Sequence, residues 1–269
     1  MKMAGTSGII DRESRTKRKS EASPPFDRGG FARRKPMMEG AMEYYVDIAD
    51  IEVVRAVNDV FPIDGFTTNP NILTKTDRPL QELFAEYRDY IRQTGQRLFV
   101  QVTASKAEDM VAQAVRLRDY FGEKLVVKLP AVREGYKACK RCKALGMSVC
   151  VTVVHSTMQA LMAAKAGADY AAPYISHIDN IGADGVHCVD EIVRAFDKSG
   201  YACKVLGASF RTVEQVDKLA IVGCHAVTIT PETFDMLIAH PSTDVSMKGF
   251  DKAWCDRYGE KQVTDFLPE

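Results

Sequence analysis

No run of apolar residues in this 269-residue chain is long enough to cross a bilayer, so a membrane-spanning helix is excluded. An excess of charge is missing too: Lys plus Arg and Asp plus Glu both number 36. No overall field therefore draws the protein to nucleic acid or to an anionic membrane, and neither is expected as a partner. The seven cysteines are scattered and odd in number, which argues against a disulfide framework and for reduced thiols in a cytoplasmic protein. One CxxC spacing, Cys139 to Cys142, lacks a second Cys or His pair at zinc-site distance and falls within a predicted helix. No glycine-rich dinucleotide fingerprint follows the first predicted strand.

What is present divides at about residue 42. Residues 1–41 are rich in Arg, Lys, Ser, Gly and Pro, as in Arg15-Thr16-Lys17-Arg18-Lys19, with almost no apolar periodicity. Such a segment buries too little surface to offset its ordering entropy, so a disordered basic leader is expected. It has no apolar core of signal-peptide length, and Asp11, Glu13, Glu21 and Asp27 weigh against an organelle transit peptide. Met37, Met38 and Met42 sit where the regular pattern begins, which fits a start codon assigned too far upstream. With such a start, any nucleic-acid role for residues 12–35 would vanish.

Residues 42–269 read as a single domain in which short apolar strands alternate with helices. Strands are predicted at Tyr44–Ile48, Gly65–Thr67, Leu98–Val102, Lys124–Lys128, Ser148–Thr152, Asp169–Pro173, Lys204–Ala208 and His225–Ile229. Asp50 and Thr212 read as helix caps, Gly146 and Gly167 as helix stops, and Pro231 as a first-turn residue. Helices are predicted from His155 to Ala166 and from Val189 to Ser199, with an amphipathic one from Thr243 to Tyr258. Strict alternation implies a parallel sheet, and eight strand–helix units imply closure into a (β/α)8 barrel with an extra C-terminal helix.

In such a barrel the chemistry gathers at the C-terminal strand ends. Those positions hold Asp47, Thr67 and Asn69, Gln101, Lys128, Thr152, Tyr174, and Ser209 with Arg211. Lys128 ends the apolar run Leu125-Val126-Val127 and is closed off by Pro130. Two readings fit it: a lysine snorkelling out of the strand mouth, or a desolvated amine able to form a Schiff base with a carbonyl. For the second, Asp47 and Tyr174 can exchange protons with the substrate, and Gln101 and Thr152 can position a water between them. Ser209, Arg211 and a following helix N-terminus would suit a phosphate. Bland counterparts exist: Asp47 as a helix cap, Thr67 and Asn69 as a turn, Tyr174 as a half-buried packing residue. No cluster of His, Cys and carboxylates has metal spacing, which argues against a zinc-dependent route.

The stretches Tyr45-Val46-Asp47, Thr67-Thr68-Asn69-Pro70, Arg97 to Val102, Val126 to Pro130, Ala172-Pro173-Tyr174 and Ala208 to Arg211 together resemble the small transaldolase family, and within it the fructose-6-phosphate aldolases. The resemblance covers about Met42 to Tyr258. It implies a class I aldolase barrel with Lys128 as the Schiff-base lysine, no metal or organic cofactor, and sugar phosphates as substrates. It also implies that Asp47, Asn69 and Thr152 shape the site and that Ser209 and Arg211 hold the anionic end. Transaldolases of the family tend to carry Glu at the place of Gln101 and Phe at that of Tyr174. The resemblance therefore implies that the pair found here is aldolase-like, a combination in which free dihydroxyacetone can leave; transfer of that unit between sugar phosphates is the alternative.

One position departs from the family, which usually has Arg where His177 stands. A neutral imidazole offers one donor and no charge. The departure implies weaker phosphate affinity or a different acceptor, unless Arg211 with a partly protonated His177 suffices. The resemblance further implies a ring-shaped homo-oligomer in which the C-terminal helix, with Phe250, Trp254 and Tyr258, reaches a neighbouring subunit. A non-catalytic sugar-phosphate binder is a distant alternative, disfavoured by the joint presence of Lys128, Asp47 and Tyr174.

Overall fold

A computed structural model describes residues 41–268. The basic leader expected over 1–41 lies, apart from its last residue, outside the described residues. In chain order the elements are β1 (Glu43–Asp47), α1 (Ile51–Val60), β2 (Gly65–Thr67), α2 (Pro70–Leu73), α3 (Leu80–Thr94), β3 (Arg97–Gln101), α4 (Ala107–Phe121), β4 (Leu125–Pro130), α5 (Arg133–Ala144) and β5 (Ser148–Val154). They continue with α6 (Thr157–Lys165), β6 (Tyr170–Pro173), α7 (Ile175–Asn180), α8 (Gly185–Ser199), β7 (Lys204–Gly207), α9 (Val213–Ile221), β8 (Ala226–Ile229), α10 (Pro231–Ile238) and α11 (Pro241–Tyr258). All eight strands pair in parallel with their sequence neighbours, and β8 returns to β1, closing the barrel.

Local chemistry explains most element ends. The Asp50 carboxylate accepts from Glu52 N at 2.9 Å and starts α1, and Thr212 forms a reciprocal capping box with Gln215 at α9. Three expectations shift. α8 begins at Gly185 rather than Val189, because Asp184 accepts from His187 N at 2.8 Å. α6 begins at Thr157 rather than His155, because Ser156 is the cap. The short helices α2 and α7 occupy what the periodicity leaves as loops, each too brief to show a 3.6-residue repeat.

Period-two alternation fills the interior with Tyr45, Phe99, Val126, Cys150, Tyr170, Ala172, Leu206 and Ala226. Near the N-terminal strand ends, Glu43 accepts from Tyr45 OH at 3.0 Å, from Tyr170 OH at 2.8 Å and from Lys204 Nζ at 2.5 Å. That network satisfies the polar groups at the barrel floor and leaves the other end for chemistry. Outside the sheet, Phe66 meets Tyr87 edge-on at 4.9 Å, one of many contacts that lock the helices to the strands. Cys139 and Cys142 are both buried on the core side of α5, and burial pushes the Cys139 thiol up to about 12.

Gly135 sets how closely α5 approaches the strand that carries Lys128. A Cβ there would stand 1.9 Å from the Pro130 carbonyl oxygen. Gly135→Ala is expected to cost about 2 kcal/mol by overpacking. Thermal unfolding should show the midpoint fall by about 4–8 °C; an unchanged midpoint would mean that α5 moves freely on β4.

Candidate active site

Lys128 sits in β4 with only 5 % of its surface exposed, flanked in the strand by the buried Val127 and Leu129. Its Nζ donates to the Thr68 carbonyl at 3.0 Å. That carbonyl is free because Thr68 lies just beyond β2, and Thr68 is itself anchored through N and Oγ1 to the Phe99 carbonyl at 2.9 and 3.0 Å. The amine is thus drawn to the C-terminal mouth, with no ion pair of its own among the described residues. Gln101 is its register partner on β3, and the Gln101 side chain makes no hydrogen bond among the described residues.

Asp47 closes β1 directly opposite Thr67 of β2. Thr67 Oγ1 donates to Asp47 Oδ1 at 2.6 Å and lies 2.6 Å from Thr228 Oγ1. A threonine hydroxyl has one hydrogen, so Thr228 donates to Thr67 and the relay runs Thr228, Thr67, Asp47. Burial raises the Asp47 pKa above the usual carboxylate range; the positive charge of Lys128 and the Thr67 bond partly oppose that rise. Thr228 was not expected at the site. Its signal was a single polar residue inside an otherwise apolar strand, the same signal that marked Lys128.

Asn69 caps α2 through its side-chain oxygen, which accepts from Ile72 N at 3.0 Å. Its placement combines the expected turn with a position on the cavity wall. Thr152 of β5 is fully buried, and its Oγ1 lies 3.2 Å from Tyr174 OH. Tyr174 follows β6 and bridges to Ala208. Ser209 holds a left-handed backbone (φ 61°) and its Oγ lies 3.0 Å from Ser176 Oγ, a contact not read from the sequence. The Arg211 amide donates to Gln215 Oε1 at 2.7 Å, while Gln215 Nε2 donates to Asp179 at 2.6 Å, which fixes the loop. His177 is exposed on α7. His155, also unforeseen, packs with it beside Tyr174.

A cavity of about 700 Å³ is lined by Asp47, Asn69, Ser209, Arg211 and Thr228, with Lys75 and Arg78 on its rim. Thr67 lies behind Asp47 and does not line it, and neither do Lys128, Gln101, Thr152, Tyr174 and His177; these last five share the rest of the mouth. They belong to β3–β6 and the segment after β6. The cavity thus covers one side of the mouth. A buried amine, a carboxyl of raised pKa, a phenol beside a threonine hydroxyl and a guanidinium at the cavity wall can together bind a carbonyl compound with an anionic tail and move protons on it.

A family model described as Transaldolase/Fructose-6-phosphate aldolase matches residues 44–265. A protein from Roseobacter denitrificans named "Probable transaldolase" is 35 % identical over 220 residues, covering 82 % of this chain and 99 % of the relative. One from Rhizobium meliloti with the same name is 36 % identical over 220 residues, with the same coverage. One from Caulobacter sp. strain K31, again so named, is 38 % identical over 213 residues, 79 % of this chain and 96 % of the relative. Among solved structures, a designed cube-shaped protein cage aligns with TM-score 0.52 at 14 % identity, over 71 % of this chain and 64 % of that one. A mandelate oxidase mutant with an FMN adduct aligns with TM-score 0.51 at 18 % identity, over 70 % and 65 %. These two likenesses concern the fold alone.

Proposed function

The chain belongs to the transaldolase/fructose-6-phosphate aldolase family, and from that premise we propose that it handles a dihydroxyacetone unit through a Schiff base on Lys128. The observation that carries this reading is the burial of Lys128 in an apolar strand, with its amine turned to the mouth. The neutral amine adds to C2 of a ketose phosphate such as fructose 6-phosphate, and loss of water gives an iminium. Asp47 takes the C4 hydroxyl proton, the C3–C4 bond breaks, and its electron pair moves into the iminium to form an enamine. Glyceraldehyde 3-phosphate is the aldehyde released.

What the enamine meets next separates two readings. Transfer to a second aldehyde comes first, supported by relatives named "Probable transaldolase" that match along almost their whole length. Release of free dihydroxyacetone is the second, favoured by Tyr174 OH beside Thr152 Oγ1, a proton source able to quench the enamine at C3. Product analysis with and without erythrose 4-phosphate separates them. Turnover only with that acceptor supports transfer; dihydroxyacetone formed without it supports release and sets transfer aside.

Arg211 and Ser209 are assigned to the phosphate, with His177 nearby as a weaker contributor. His177→Arg should lower KM for fructose 6-phosphate by about fivefold, the worth of one partly exposed charged hydrogen bond. An unchanged KM would mean that Arg211 alone holds the anion.

All seven cysteines are free thiols, which fits a reducing, cytoplasmic setting. No described helix is long and apolar enough to cross a membrane. A homo-oligomer is part of the same reading: Val245, Met247 and Phe250 of α11 are exposed, and the helix buries none of its residues. Light scattering should give a mass several times 29.9 kDa; a monomer would remove this part of the reading.

A further inference from the structure

Two imidazoles that the reaction outlined above leaves without a role in proton transfer lie against Tyr174. His155 sits in the link between β5 and α6, and His177 sits on α7. Their rings stack with centroids 5.8 Å apart and 5° between planes. Each meets the Tyr174 ring edge-on, His155 at 5.7 Å and 69°, His177 at 5.3 Å and 74°. Aromatic pairs in these geometries are mutually attractive, so three rings from two segments hold one another.

The backbone is distorted to make this possible. Residues 152 and 155 are an odd number apart, and in a regular strand they would face opposite sides. Here β5 slips register against β6 between Val151 and Val154, and Val153 takes φ 62°, a left-handed conformation that a β-branched residue rarely adopts. A bulge of one residue restores the parity. Thr152 and His155 consequently both reach Tyr174, one at its hydroxyl and the other at its ring. Strain kept at a strand end facing a mouth points to a use for the residue it re-aims.

We propose that His155, stacked on His177, is a positioning residue that holds the Tyr174 phenol on Thr152 for the proton step after carbon–carbon cleavage. The proposal rests on the reading of Tyr174 given above. Burial and the neighbouring His177 push the His155 pKa below its usual value, so near neutral pH the ring is uncharged and stacks without repulsion. Half-buried as it is, His155 also receives a tether: its backbone N donates to Gln159 Oε1 at 2.7 Å.

The test compares His155→Ala and His155→Phe in the full chain with fructose 6-phosphate and no acceptor aldehyde, so that kcat reports the proton step that frees dihydroxyacetone; wild-type turnover only with an acceptor would overturn the proposal. His155→Ala should lower kcat about tenfold while KM stays within about twofold, because a phenol displaced by a fraction of an ångström loses its proton path but not the substrate. Borohydride trapping on Lys128 and the unfolding midpoint should stay near wild type, and His155→Phe, which keeps the ring and drops the nitrogens, should recover most of the rate. Wild-type kcat in His155→Ala would overturn the proposal. Parallel loss of trapping, kcat and melting temperature would overturn it too, as would failure of Phe to restore the rate, which would assign the imidazole nitrogens a direct role. Absence of an adduct in the wild-type protein would count against the lysine chemistry instead, and the kcat comparison would still decide the ring brace.

Discussion

Lys128→Met is expected to abolish the adduct with fructose 6-phosphate and to lower kcat by at least about four orders of magnitude, because the nucleophile carries the covalent intermediate. Methionine suits the position, being unbranched, close in length and apolar where 95 % of the lysine surface is shielded. Among the described residues the one hydrogen bond lost is Nζ to the buried Thr68 carbonyl, and removing the desolvated amine offsets that loss. The substituted protein should therefore fold and melt near the wild-type temperature while doing no chemistry. Residual activity within tenfold of wild type would move the nucleophile elsewhere.

Asp47→Asn comes next, with an expected loss of about 10²–10⁴-fold in kcat, the usual contribution of a general base. The amide oxygen can still accept from Thr67, so the relay from Thr228 stays in place and only the proton-accepting charge is gone. The pH dependence gives a second readout. Burial raises the Asp47 pKa, so the acid limb of kcat/KM in the wild type should lie above the ordinary carboxylate range and be absent from the residual activity of the variant. Stability runs the other way. A carboxyl whose pKa is higher folded than unfolded favours the fold while protonated and loses that contribution as pH rises through the folded value. At neutral pH the buried charge is thus a cost, and Asp47→Asn should be at least as stable as wild type. A less stable and inactive variant would point to a structural role for Asp47.

The barrel was legible because its signals are local and repeated. Apolar runs of strand length, the Asp50 and Thr212 caps, and the glycine stops Gly146 and Gly167 recur in an alternation that implies a parallel sheet. An open doubly wound sheet fits it too, and the count of eight units together with the missing dinucleotide fingerprint favours the closed barrel. The positions of Asp47, Thr67, Gln101, Lys128 and Thr152 at or near strand ends were readable for the same reason, and closure brings strand ends together. His155 was not readable, since it reaches Tyr174 through a left-handed valine, the residue type that argues most strongly against such a conformation. Thr228 passed for an ordinary strand former in Ala226-Val227-Thr228-Ile229. Which strand ends share a cavity wall was equally hidden, because that depends on loops such as the one Gln215 pins to Asp179.

The most direct measurement is borohydride reduction of the protein in the presence of fructose 6-phosphate, followed by mass analysis of its peptides. The lysine chemistry proposed here predicts a stable secondary amine on the peptide carrying Lys128, retained in Asp47→Asn if carbinolamine formation precedes the Asp47 step. No adduct, or an adduct confined to another lysine, would contradict it.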